Sequence, residues 1–184
     1  HKFDVPIIAE LSHCGSQTMM SNVVTKSPSI LPNLIYGNQP CELSETEIQE
    51  IIEKFKISAS IAMKAGFDGI HIHGGNGYLI SQFSSPISNN RKDKWGGNER
   101  NRDRFFIEIY KAIRKEIGKN RFISARVGVQ DVRDNGLGIK EGINRVKKLE
   151  MHGLNAVEPT YNLMNTYKDN IKPFAGNDIF KSII

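Results

Sequence analysis

At 184 residues the chain is long enough for one domain with a real core, yet short of the roughly 250 residues typical of a complete (β/α)8 barrel. Its 39% hydrophobic and 24% charged residues are those of an ordinary globular protein. No apolar run approaches the roughly 20 residues a membrane-spanning helix needs and no charged leader precedes a hydrophobic segment, so no membrane partner is expected and cytoplasmic residence is the default. The net charge of +5 is dispersed; only Arg100, Arg102 and Arg104 gather, diluted by Glu99 and Asp103, which argues against nucleic acid and suits a phosphate-bearing ligand.

The chain opens on His1 rather than Met and a strand-like run, Val5 to Leu11, follows almost at once, so a processed or partial product is expected. Residues 14 to 43 carry Pro28, Pro32 and Pro40 without a clear period and read as a long loop. Cys14 and Cys41 form neither a metal spacing nor a disulfide framework and receive no chemistry. Ser44 followed by Glu47 is a capping box, opening a helix with Ile48, Ile51, Ile52, Phe55, Ala59 and Ala62 at helical spacing and Gly66 as its stop.

Asp68 to His73 reads as a second strand, with His71 and His73 on one face and Ile70 and Ile72 on the other. A loop from Gly74 to Gly97 leads into an amphipathic helix, Glu99 to Ile117, with Phe105, Ile109, Ala112, Ile113 and Ile117 inward and Gly118 closing it. Arg121 to Val129 is the third strand. Ile139 to His152 is the third helix, with Ile143, Val146 and Leu149 inward and Gly153 as its cap, and Asn155 to Glu158 the fourth strand. Thr160 to Ile184 has no firm period.

Strands alternating with helices demand a parallel sheet with right-handed crossovers. Polar clusters follow each strand end, at Ser12 to Gly15, His73 to Tyr78, Arg126 and Glu158 to Tyr161, and several strands feeding one face is barrel behaviour. The expected fold is therefore an α/β, TIM-type (β/α)8 barrel, incomplete, with about four β/α units in a single domain over residues 1–184.

The stretch from Gly66 to Phe105 is the most informative. His73, Asn76 and Tyr78 stand on one turn; then come Ser85-Pro86, Asn89, Arg91, Asp93, Trp95-Gly96-Gly97 and Asn101-Arg102-Asp103-Arg104-Phe105. In content and spacing this resembles the Old Yellow Enzyme family of FMN-dependent NAD(P)H oxidoreductases. The resemblance implies FMN as cofactor, NADH or NADPH as reductant and an electrophilic alkene, such as an α,β-unsaturated carbonyl compound, as the small-molecule substrate. The four strands then look like the third to sixth of the barrel, with the flavin phosphate site, after strands seven and eight, in segments lying outside them.

Such a reaction needs donors that polarise the electron-withdrawing group and an acid that protonates the α-carbon opposite the hydride. Gly74 and Gly75 between His73 and Asn76 allow a tight turn that aims both side chains at one oxygen. Tyr78 falls where the family's proton donor lies. The arginine matching Arg126 lies at the flavin's N1 and O2 edge in the family; here it follows alternating apolar residues and is expected to be nearly buried, with an ion pair to Glu10 as the other reading. Asn89, Arg91 and Asp93 read as scaffold, Arg91 clasping Asp93.

This chain departs from the pattern in three places. Glu10 replaces the glutamine that meets the flavin's pyrimidine edge and, when ionised, needs an answer from Arg126; Ser16 replaces an arginine; His71 stands where an acidic residue is common. Two other readings follow. The chain could be a non-catalytic fragment or half-barrel, completed by self-association or by missing barrel segments, because open sheet edges need covering. His71 and His73 could instead hold zinc in a barrel hydrolase, which would require a further ligand from a later strand.

Overall fold

A computed structural model describes residues 3–18 and 22–164 of the chain. The elements are β1 (Ile8–Leu11), β2 (Lys26–Ser27), β3 (Cys41–Glu42), α1 (Glu45–Lys64), β4 (Gly69–Gly74), α2 (Leu79–Ser84), α3 (Glu99–Ile117), β5 (Phe122–Gln130), α4 (Ile139–Met151) and β6 (Ala156–Tyr161). Residues 165–184, most of the stretch without a period, lie outside the described residues.

Local chemistry sets the boundaries. Ser44 Oγ accepts the Glu47 backbone N–H at 3.2 Å while Glu47 Oε2 accepts that of Ser44 at 2.8 Å, the reciprocal capping the sequence announces. The six apolar residues of the α1 stripe are all buried. Gly66, Gly118 and Gly153 all adopt positive φ just past a helix, where a side chain would be strained. The first strand is shorter than its apolar run because Ile7 gives its N–H to the Asp68 carboxylate, at 2.7 Å, and not to a neighbouring strand.

Four strands form one parallel sheet in the order β1-β4-β5-β6, with Glu10 opposite His71, His73 opposite Arg126 and Arg126 opposite Glu158. Alternation sends Ile70, Ile72, Ile123, Ala125 and Val127 into a core shared with α1, α3 and α4. Glu10, His71, His73, Ser124, Arg126 and Glu158 take the opposite face. A doubly wound sheet would bury both faces under helices; an apolar outer face and a polar inner face belong to an arc of a (β/α)8 barrel. Among the described residues no helix is long and apolar enough to cross a membrane.

Three features differ from the sequence reading. The six residues of α2 are buried on every side, so they carry no amphipathic period and read as loop. The long loop contains the short parallel pair β2 and β3. In α4 the buried side is Gly142, Arg145 and Leu149, with Val146 partly buried against the core and Ile143 only half-buried. Any Cβ at Gly142 would strike the Val129 carbonyl, so the helix sits tight on β5. That position lets Arg145 reach Asp103 at 2.7 Å and the Gly128 carbonyl at 2.8 Å.

Candidate active site

The turn after β4 is assembled by glycine and by contacts to β6. A Cβ on Gly74 would lie 2.5 Å from the Phe106 ring and 2.8 Å from the Arg126 carbonyl, and one on Gly75 would collide with the Thr160 methyl. Asn76 is held at φ 58°. Its N–H donates to the Tyr161 carbonyl at 2.9 Å, and the Gly77 N–H donates to that of Asn162 at 2.6 Å. The Asn76 side-chain amide donates to Thr160 Oγ1 at 3.2 Å, while Gln17 donates to the Asn76 carbonyl at 3.1 Å. Tyr78 precedes α2 as its N-cap, and its ring lies 4.6 Å from that of His73, tilted by 37°.

His73, on β4, is 7% exposed at its side chain, and its Nε2 is buried with no hydrogen-bond partner. Its Nδ1 lies 2.6 Å from Glu10 Oε1. Arg126 binds Glu158 in two-point fashion, Nε to Oε1 at 3.0 Å and Nη2 to Oε2 at 3.2 Å, and sends Nη1 to Glu10 Oε1 at 3.3 Å. Arg126 is thus answered by Glu10, as one reading of the sequence held, and by Glu158, which the sequence placed only in a polar cluster. It is not nearly buried: the side chain is 26% exposed, because the guanidinium lies between two carboxylates at the solvent-facing side of the described strands.

Burial pushes the Glu10 carboxyl up, but the hydrogen bond from His73 and the charge of Arg126 outweigh it, leaving its pKa below the ordinary value. His71 contacts Ser124 Oγ at 2.8 Å and lies 3.5 Å from Glu158. Burial holds its pKa below the ordinary value against the pull of Glu10 and Glu158. His71 and His73 therefore engage their Nδ1 atoms with protein groups, and among the described residues no cluster of three or more His, Cys, Asp or Glu is arranged to hold a metal.

His73, Asn76, Tyr78 and Arg126 line one cavity of about 460 Å³, together with Gln17, Glu158, Thr160 and Met164. That volume is in the range of small-molecule sites. Glu10, on the same face of the sheet and 44% exposed at its side chain, borders a neighbouring cavity of about 300 Å³ between β1 and α1, with His13 and Lys54. Thr160 follows Glu158 by two residues on β6 and so shares its face, a signal present in the sequence once the strand is extended to Tyr161. Gln17 and Met164 come from irregular segments and had no such signal.

The downstream cluster is scaffold. Buried Arg91 clasps Asp93, with Nη2 to Oδ2 at 2.6 Å, and donates to the carbonyls of Pro28 at 3.0 Å and Leu43 at 2.7 Å. Asn89 donates to the carbonyls of Phe83 at 2.7 Å and Trp95 at 2.8 Å. Trp95 in turn donates through its indole N–H to Glu45. These bonds fasten the loop after β4 to the segments before α1.

The chain is 42% identical over 153 residues to an NADPH dehydrogenase of Clostridium acetobutylicum, covering 80% of this chain and 45% of that protein. It is 35% identical over 176 residues to an NADH oxidase of Thermoanaerobacter brockii, covering 94% of this chain and 27% of that one. It thus spans less than half the length of these curated relatives. The solved structure of the old yellow enzyme homologue from Zymomonas mobilis superposes with a TM-score of 0.75 at 26% identity, over 84% of this chain and 47% of that one. With its sequence model matching residues 1–172, the chain belongs to the NADH:flavin oxidoreductase / NADH oxidase family.

Proposed function

We propose that the whole protein is an FMN-dependent oxidoreductase that draws electrons from NADH or NADPH and reduces activated alkenes such as α,β-unsaturated carbonyl compounds, with residues 1–184 forming part of a single barrel domain. The observation that carries this reading is the buried, unpartnered Nε2 of His73, a residue lining the cavity that Asn76, Tyr78 and Arg126 also line. An orphaned polar atom of this kind asks for a ligand partner. The relatives' names, an NADH oxidase and an NADPH dehydrogenase, support either nicotinamide as reductant.

The residues fit a flavin. The cavity lies at the C-terminal ends of the strands, where barrels bind their ligands, and the guanidinium of Arg126 lines it, its charge answered by Glu158 in the same cavity and by Glu10. Arg126 would face the ring edge that gains negative charge on reduction, and Glu10, whose Oε1 carries the bonds to His73 and Arg126, would offer Oε2 to a ring N–H. Bound FMN would supply hydride transfer, from the nicotinamide and on to the alkene β-carbon. His73 and Asn76 would hold the acceptor oxygen, drawing electron density from the alkene. Tyr78 would give its phenolic proton to the α-carbon from the opposite face, so that hydride and proton together saturate the bond.

A fluorescence titration of FMN with the purified chain, beside size-exclusion chromatography, tests the reading. Saturable quenching at micromolar protein supports a flavin site in this segment. A folded chain that leaves FMN fluorescence unchanged shows that the segment is non-catalytic by itself.

A further inference from the structure

The hydrogen-bonding character of His73 is set from the neighbouring strand β1. Glu10 Oε1 lies 2.6 Å from His73 Nδ1 and 3.3 Å from Arg126 Nη1, and the two nitrogens are 3.0 Å apart. A guanidinium only donates and an ionised carboxylate only accepts, so the proton on Nδ1 decides whether this triangle is coherent. With Nδ1 bare, it would accept from Arg126 Nη1 at 3.0 Å, but its lone pair would face a carboxylate lone pair at the shorter distance of 2.6 Å. With Nδ1 protonated, both nitrogens donate to the same oxygen. The second arrangement gives up the Arg126–His73 bond and keeps the shorter, charge-assisted bond to the carboxylate, which is the stronger kind.

We propose that Glu10 is a positioning residue that keeps the proton of neutral His73 on Nδ1, so that the buried, unpartnered Nε2 is left as an acceptor and binds a ligand oxygen only after the ring takes up a second proton. The proposal rests on the assignment of His73 to the acceptor oxygen and adds a selection rule. A carbonyl ligand enters with one proton from solution; a ligand bearing a hydroxyl or N–H enters without one. A glutamine at position 10 would impose no such rule, since a carboxamide both donates and accepts. The groups that face this ring are Glu10 from β1, Arg126 from β5 with Glu158 of β6 behind it, His71 two residues before it on β4, and Tyr78 after β4.

Nitrogen-15 and proton NMR of the histidine-labelled full protein reads the tautomer, with His73→Gln identifying the signal. Neutral His73 is expected as the Nδ1–H form by a ratio of about ten or more, the scale of one charge-assisted hydrogen bond. In Glu10→Gln the ratio is expected to fall to about one or below. A wild-type ring protonated on Nε2 overturns the proposal, as does an unchanged ratio in Glu10→Gln. The wild-type spectrum decides the matter even where a variant fails to fold. Neither flavin nor alkene enters the measurement, so failed flavin binding would count against the proposed oxidoreductase and leave the tautomer result standing.

Discussion

Thr160 Oγ1 accepts the side-chain amide of Asn76 at 3.2 Å across a sequence separation of 84 residues. The last described strand thus orients a side chain of the turn that follows β4, and the placement of Asn76 depends on β6 as well as on its own motif. Thr160→Val keeps the shape of this buried side chain and removes the acceptor. We expect KM for the alkene to rise about fivefold, the equivalent of one hydrogen bond of about 1 kcal/mol, with Thr160→Ser restoring it. An unchanged KM would mean that the backbone bonds of the turn suffice to hold Asn76.

Tyr78 stacks near His73 and is separable from the electron-donating half of the proposed cycle. Tyr78→Phe in the complete barrel should leave reduction of FMN by NAD(P)H intact and slow alkene reduction by about a hundredfold, the scale of a lost general acid. Stopped-flow measurement of the two half-reactions checks this. Equal loss in both would remove Tyr78 from the role.

Asp131, 2% exposed, joins three loops of the rim. Its carboxylate accepts from Leu137 N–H at 2.6 Å, Asn162 Nδ2 at 2.8 Å and Leu163 N–H at 2.9 Å, and contacts Ser85 Oγ at 2.5 Å. Asp131→Asn turns one acceptor arm into a donor facing other donors. A loss of about 2–3 kcal/mol in urea unfolding is expected. A loss below about 0.5 kcal/mol would show that the rim repacks around the amide.

Glu47 has a pKa lowered to about 2 from an ordinary 4.5, through its hydrogen bond with Lys26 and the backbone N–H of Ser44. A carboxyl depressed on folding contributes stability that is present above pH 4.5 and lost as pH falls toward 2. Glu47→Gln should therefore flatten the fall in stability between those two values. The cap lies on an exposed helix end, so salt should weaken the effect. An acid-unfolding curve of unchanged slope in Glu47→Gln would contradict this.

Much of the fold is legible in the chain because its signals are local. The capping box and buried stripe of α1, the glycine stops, the bounds of α3 and the strand-helix alternation each depend on residues within a few positions of one another. The trio His73, Asn76 and Tyr78 is legible for the same reason: it sits on a single turn. Periodicity fails where burial is complete, as in α2, and where a charge is buried against a distant partner, as with Arg145 on Asp103. Tertiary structure alone brings Glu10 to His73, Glu158 to Arg126, and Thr160 to Asn76, and it selects the Glu10–Arg126 pair that the sequence offered as one of two readings. Those contacts are set by the register of parallel strands, which joins residues 32 to 116 positions apart and leaves no trace in local spacing.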